Sequence, residues 1–226
     1  RVIAGGIKGL RANLVPFNSV AKMDKGGWFE EGMLCTKMTG KETRRYGLGN
    51  VSLAGAPNRE NMLAAVMVAE LCGGKKERVQ KGLESFKGLP HRIELVEEHG
   101  GIRYYDDSKG TNVGATASAL ENFAGPVILI AGGLDKGASY SPLAKLIKER
   151  VKRLILIGEA KEKMMEELGH ITETVAADSM EDAVCKANSA AKKGDVVLLS
   201  PACASYDMFR DYAERGEVFA RAVKKR

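Results

Sequence analysis

Three short stretches carry more chemistry than their lengths require. Asp106-Asp107-Ser108-Lys109-Gly110-Thr111-Asn112 gathers two carboxylates, an amine and two hydroxyls around a glycine, just before a helical pattern. Thr111 or Asn112 can cap that helix, but capping explains a single residue. An acid beside a lysine at a helix start suits metal-linked phosphates or a carboxylate ligand. Ala131-Gly132-Gly133-Leu134-Asp135-Lys136-Gly137 follows an apolar run. Its two glycines would let the backbone approach a ligand closely, with Lys136 as a cation at the rim. Taken alone, this stretch reads more plainly as a turn with a solvated lysine; it is neither a GxGxxG nor a Walker loop. Ser200-Pro201-Ala202-Cys203-Ala204-Ser205 offers small residues and hydroxyls, a donor-rich nest suited to a carboxylate, with Ser205 as a helix cap the competing reading. Cys203 is a poor candidate nucleophile, because none of His91, His99 and His170 is placed by sequence to activate it.

The elements around these stretches alternate. From His91 onward, strand candidates at Ile102–Asp106, Val127–Ala131, Leu154–Ile157, Glu173–Ala176 and Val196–Leu199 interleave with helix candidates. The latter lie at Asn112–Asn122, Pro142–Arg150, Ala160–Leu168, Met180–Ala191 and Asp207–Ala222, the last open to a break at Gly216. Continuous apolar strands alternating with amphipathic helices predict a Rossmann-like, doubly wound, mainly parallel α/β domain over 89–226. Ligands of such sheets bind beyond the carboxyl ends of the strands, where all three stretches fall.

Upstream, Trp28–Met38 and Glu42–Ala54 contain strand-like segments separated by a turn signal at Thr39-Gly40-Lys41. Asn58–Leu71 reads as a helix with Asn58 as its N-cap and a stripe of Met62, Ala65, Val66 and Ala69. A second helix is predicted at Lys76–Phe86, and Leu89-Pro90 as a hinge between a first unit, 1–88, and the second.

Composition narrows the function classes. Of 226 residues, 44% are hydrophobic and 28% charged, which is an ordinary globular balance. The formal net charge of +6 suits nucleotides as well as nucleic acid, but the cations are scattered without interleaved aromatics, so no nucleic-acid partner is expected. No apolar run reaches bilayer length, so no membrane span is expected and the cytoplasm is the expected location. Cys35, Cys72, Cys185 and Cys203 show no zinc spacing or disulfide framework; Cys72 and Cys185 read as small buried apolar residues. The chain begins Arg1-Val2-Ile3 without an initiator methionine, and is expected to be a processed or excised portion of a longer protein.

Together these residues resemble the Mur ligase family, specifically its D-glutamate-adding branch. The resemblance rests on Asn58-Arg59-Glu60-Asn61, Leu89-Pro90-His91-Arg92, Asp107-Ser108-Lys109-x-Thr111-Asn112, Gly132-Gly133-x-x-Lys136 and Leu199-Ser200-Pro201-Ala202-Cys203-Ala204-Ser205. Lysine- and diaminopimelate-adding relatives typically carry a tyrosine-alanine-histidine-threonine element in place of Asp107–Thr111. Two positions depart from the pattern: Pro57 where the family often has histidine, and Tyr212 where relatives place phenylalanine.

The resemblance implies an ATP-dependent ligase of peptidoglycan synthesis that joins D-glutamate to UDP-N-acetylmuramoyl-L-alanine through an acyl phosphate. Asn58, Asn61, Arg92 and Asp107 would contact ATP. Thr111, Lys136, Ser205, Tyr206 and Tyr212 would hold D-glutamate, and Lys109 would act at the transferred phosphoryl group. Residues 1–88 would be the end of a central ATPase domain whose GxxxxGK[ST] loop the chain lacks. Mg2+ would accompany ATP, with no metal ligands in this chain, and the enzyme would be a monomer. The chain alone is expected to be inactive. A folylpolyglutamate synthase and a non-catalytic nucleotide- or amino-acid-binding module are the alternatives.

Overall fold

The computed structural model describes residues 13–18, 22–38, 41–49, 51 and 56–225. By contact density the chain divides into two compact units, Arg1–Lys87 and Gly88–Arg226. In the first, β1 (Gly26–Glu30), β2 (Met33–Lys37) and β3 (Arg44–Gly47) form an antiparallel sheet in sequence order. Trp28–Met38 is therefore a hairpin rather than one strand, turning at Glu31-Gly32 with both residues at positive φ. Thr39 and Gly40 of the expected turn, and Ser52–Gly55 of the second strand-like segment, lie outside the described residues.

Helix α1 (Ala56–Leu71) starts before Asn58, so Asn58 lies inside the first turn and is not its cap. Met62, Leu63 and Val66 bury against Leu34 and Tyr46. Ala65 of the expected stripe is exposed, because the stripe is rotated by one residue toward Leu63. Glu70, on the same face, is buried and accepts from Thr36 Oγ1 (2.8 Å) and the Tyr46 hydroxyl. Helix α2 follows at Lys76–Ser85.

The second unit is a six-stranded sheet in the order β4-β5-β9-β6-β7-β8. The strands are β4 (Glu94–His99), β5 (Ile102–Asp106), β6 (Val127–Gly132), β7 (Val151–Ile157), β8 (Glu173–Ala176) and β9 (Val196–Leu199). All neighbours pair in parallel except β4, which is antiparallel to β5. β4 is absent from the sequence reading. Its run Glu94-Leu95-Val96-Glu97-Glu98-His99 is largely exposed, and charges of this kind are tolerated at a sheet edge.

Strand pleating sorts the apolar residues. Leu129, Leu154, Leu156 and Leu198 face α3 (Val113–Glu121), α4 (Ala144–Arg150) and α5 (Lys161–Leu168) through Leu120, Ile147 and Met164, with Leu143 of the 3-10 turn before α4 beside them. Ile128, Ile130, Ile155 and Val197 face α6 (Met180–Ala190) and α7 (Tyr212–Lys224) through Val184 and Phe219. Helices on both faces make this a doubly wound α/β domain.

Helix α7 begins at Tyr212 rather than Asp207, with the Asp211 carboxylate capping it through Glu214 N (2.9 Å), and Gly216 does not break it. Cys72 and Cys185 are exposed, against expectation, whereas Cys35 and Cys203 are buried. Small size makes a cysteine compatible with burial but does not aim it inward. Among the described residues no helix is long and apolar enough to cross a membrane.

Candidate functional site

Strands β5, β6 and β9 end side by side, and their loops are stitched together by backbone hydrogen bonds. Asp107 N donates to Leu199 O (2.7 Å), Ala202 N to Gly110 O (2.9 Å), Gly132 N to Pro201 O (2.9 Å) and Leu134 N to Ala204 O (3.0 Å). The three stretches singled out in the sequence are thus one structure.

Gly132 and Gly133 make the joining possible. Both have positive φ, 115° and 136°. A Cβ on Gly132 would stand 2.0 Å from Ile157 O, and one on Gly133 2.3 Å from Ala204 O. The close approach these glycines permit is therefore to neighbouring backbone, in keeping with the plainer reading of the stretch as a turn. Downstream, Asp135 holds the loop by accepting from the Tyr140 hydroxyl (2.9 Å), Lys163 Nζ (3.1 Å) and Gly137 N (3.1 Å). Those bonds, Tyr140 first, keep its carboxyl below the ordinary range. Lys136 is exposed, and its Nζ donates to Thr111 O (2.8 Å).

The first stretch turns sharply after β5. Asn112 caps α3 by accepting from Ala115 N (2.9 Å). Asp107 is 2% exposed, and its carboxylate accepts from Ser200 Oγ (2.7 Å). Burial lifts its pKa to about 6, against the Ser200 bond and the Arg92 charge, which lower it. Asp106 accepts from Ser108 N (2.8 Å) and bonds His91 Nδ1 (2.7 Å); burial pushes its pKa up as well. Lys109 is half-buried, with Nζ 3.3 Å from the Tyr212 hydroxyl and 4.9 Å from the ring centroid. His91 meets the same ring edge-on at 6.1 Å.

In the third stretch Ser205 is 2% exposed and Tyr206 71% exposed. Ser205 does not cap a helix; its carbonyl accepts from Met208 N (3.2 Å) and Phe209 N (2.8 Å) in a turn preceding α7. The Cys203 thiol is buried against the Tyr140 hydroxyl (3.1 Å), and burial pushes its pKa up, which is wrong for a nucleophile.

Of the expected residues, the structure brings Thr111 and Lys136 into contact, and Lys109 and Tyr212 into contact. It places Asp107 and Ser205 on the loops joined above. Arg92 is exposed, next to His91 in sequence, and its charge acts on Asp107. Asn58 and Asn61 belong to the first unit, half-buried and exposed respectively. Sequence reasoning missed Arg215, wholly buried in α7 and bonded to Ser108, Cys203 and Ala204. A lone arginine in an amphipathic helix reads as solvated, and nothing local distinguishes it. It also gave Ser200 no partner, although Ser200 links Asp107 to Thr116 Oγ1 (3.1 Å).

Among the described residues one group of metal-type ligands stands within 4.8 Å: His91, Glu94 and Asp106. It does not suit Mg2+, which takes oxygen ligands in an octahedron. Here His91 Nδ1 is spent on Asp106, and both Asp106 oxygens are engaged.

Cations, hydroxyls and buried carboxylates gathered at the strand ends of a doubly wound domain define an α/β module with a polar strand-end site. Residues 91–203 match the family described as Mur ligase, glutamate ligase domain, and the chain belongs to the Mur ligase family. Its curated relatives include UDP-N-acetylmuramoylalanine–D-glutamate ligase of Geotalea daltonii, 47% identical over 215 residues, covering 95% of this chain and 47% of the relative. The chain thus spans about half the length of the curated relatives it matches. In fold it is similar to MurF from Acinetobacter baumannii, with a TM-score of 0.68 at 16% identity over 93% of this chain and 47% of that one. It is also similar to Thermotoga maritima MurF, solved in complex with ADP, with a TM-score of 0.53 at 20% identity over 89% of this chain and 46% of that one.

Proposed function

We propose that this chain is the amino-acid-binding part, with the end of the central ATPase domain, of a ligase that joins D-glutamate to UDP-N-acetylmuramoyl-L-alanine in peptidoglycan synthesis. The observation that carries the reading is the convergence of Lys109, Thr111, Lys136 and Ser205 on loops bonded to one another at the ends of parallel strands. Two cations and several hydroxyls suit an acceptor with two carboxylates. The family match and the Geotalea relative support the same assignment.

In the proposed reaction, ATP phosphorylates the substrate carboxylate, giving an acyl phosphate and ADP. The D-glutamate amine attacks that carbonyl, and the tetrahedral intermediate expels phosphate to leave an amide. Thr111, Lys136, Ser205, Tyr206 and Tyr212 hold the acceptor so that its amine, not its carboxylates, faces the carbonyl. Lys109, steadied by Tyr212, offers positive charge to the phosphoryl oxygens. Arg92, Asp107, Asn58 and Asn61 serve ATP, and the ADP complex of the Thermotoga neighbour supports nucleotide use. Mg2+ would find its ligands outside this chain. The enzyme works as a cytoplasmic monomer in this reading.

The test is phosphate release with ATP, Mg2+ and UDP-N-acetylmuramoyl-L-alanine, offering D-glutamate, L-lysine, diaminopimelate or a folate in turn. The full-length enzyme should turn over only with D-glutamate, and the 226-residue chain not at all. Turnover with another acceptor would reject the D-glutamate assignment; product from the chain alone would reject the dependence on further sequence.

A further inference from the structure

Arg215 projects from the second turn of α7 beneath the strand ends and is 0% exposed. Its Nε donates to Ser108 Oγ (2.9 Å), and one terminal nitrogen donates to both Ser108 O (2.9 Å) and Cys203 O (3.1 Å). The other terminal nitrogen donates to Ala204 O (3.1 Å). Gly133 is pressed against it, since a Cβ there would stand 3.0 Å from a guanidinium nitrogen. One side chain therefore grips the loop before Lys109 and the loop before Ser205, and limits the residue at the base of the Lys136 loop.

Every acceptor on Arg215 is neutral. None of the ion pairs among the described residues includes it. Burial lowers its pKa to about 10, with Cys203, Asp207 and Asp106 acting in the opposite direction, so it stays charged at neutral pH. A buried cation without a directly paired anion is unfavourable unless something else balances it. A planar five-donor fork also holds several acceptors in one geometry, which the single-point ammonium of lysine does not.

We propose that Arg215 is a positioning residue for the acceptor amino acid: its fork locks the Lys109–Thr111 loop to the Ser205 loop, and its charge adds to the positive field that the acceptor's carboxylates meet. This rests on the reading of the site as a dicarboxylate pocket. The locking makes the two halves of that pocket rigid with respect to each other before the acceptor arrives. The charge favours an acceptor with two carboxylates over one with a single carboxylate.

Two measurements test it. In the full-length enzyme, Arg215→Met should raise KM for D-glutamate by about tenfold or more, with KM for ATP little changed. Arg215→Lys should recover part of that loss by restoring the charge. Equal changes in both KM values, or lysine no better than methionine, would overturn the electrostatic role. Should Arg215→Met fail to fold, Ser108→Ala removes one acceptor and should raise KM for D-glutamate in the same direction; an unchanged KM would count against the role. The second measurement needs no substrate. Amide exchange in Arg215→Lys should quicken together at Gly110 and Leu134, whose protons are held by the two gripped loops. Quickening on one side only would overturn the locking. A wild-type enzyme that ignores D-glutamate would reject the functional reading while leaving this second result to stand or fall separately.

Discussion

The Ser200 hydroxyl donates to the Asp107 carboxylate across 2.7 Å, tying the end of β9 to the end of β5 where both residues are buried. The bond brings together two residues 93 positions apart, and it stabilises a carboxylate that burial disfavours. Ser200→Ala would leave that oxygen short of a donor at a cost of about 1–3 kcal/mol. Urea unfolding of the chain measures it; a loss below about 0.5 kcal/mol would mean that another group replaces the hydroxyl.

Asp107 itself should give the stability of the chain a pH dependence. Its carboxyl titrates near 6 when folded, against about 3.9 unfolded. The folded state therefore holds the proton more tightly. The contribution is complete below about pH 4 and is lost as pH rises through 6. The unfolding free energy of the wild type minus that of Asp107→Asn should fall across this window. A flat difference would show that the carboxyl is not raised.

Tyr212 contacts Lys109 in two ways that substitution can separate. Tyr212→Phe removes the 3.3 Å hydroxyl contact and keeps the ring 4.9 Å from the ammonium. Tyr212→Leu removes both. A half-buried cation–π contact falls between the exposed and desolvated cases, at about 1–2 kcal/mol. In the full-length enzyme kcat/KM for D-glutamate should fall about threefold or less for phenylalanine and about tenfold for leucine. Equal losses would assign the effect to the hydroxyl.

Gly216 occupies mid-helix because nothing larger fits. A Cβ there would stand 2.3 Å from both Asp106 Oδ2 and His91 Nδ1. Alanine favours a helix by about 1 kcal/mol over glycine, so Gly216→Ala at an open site would stabilise. Here the His91–Asp106 pair must give way, and we expect a net loss of about 1–3 kcal/mol by chemical unfolding. Net stabilisation would show that the pair moves freely.

Local pattern was enough for much of this protein. The buried strands β6 and β9, and Leu154–Ile157 of β7, are continuous apolar runs, and the helices between them keep an amphipathic period, so an alternating α/β domain was legible from residue types alone. The chemistry of the strand-end loops was legible too, because acids, amines and hydroxyls crowded beside glycines exceed what turns need. Edge strand β4 was not legible, because a solvated edge accepts Glu94, Glu97 and Glu98 without the alternation that marks a half-buried strand.

Only the tertiary structure decided which polar groups meet. Ser200 with Asp107, His91 with Asp106 and Arg215 with Ser108 are separated by 93, 15 and 107 positions, and their partnership depends on strand order and register. The sequence determined the kinds of groups available and the elements that carry them, since those follow from side-chain chemistry and local period. The burial of Arg215 and the raised pKa of Asp107 came from three dimensions, because desolvation depends on neighbours brought in from elsewhere in the chain.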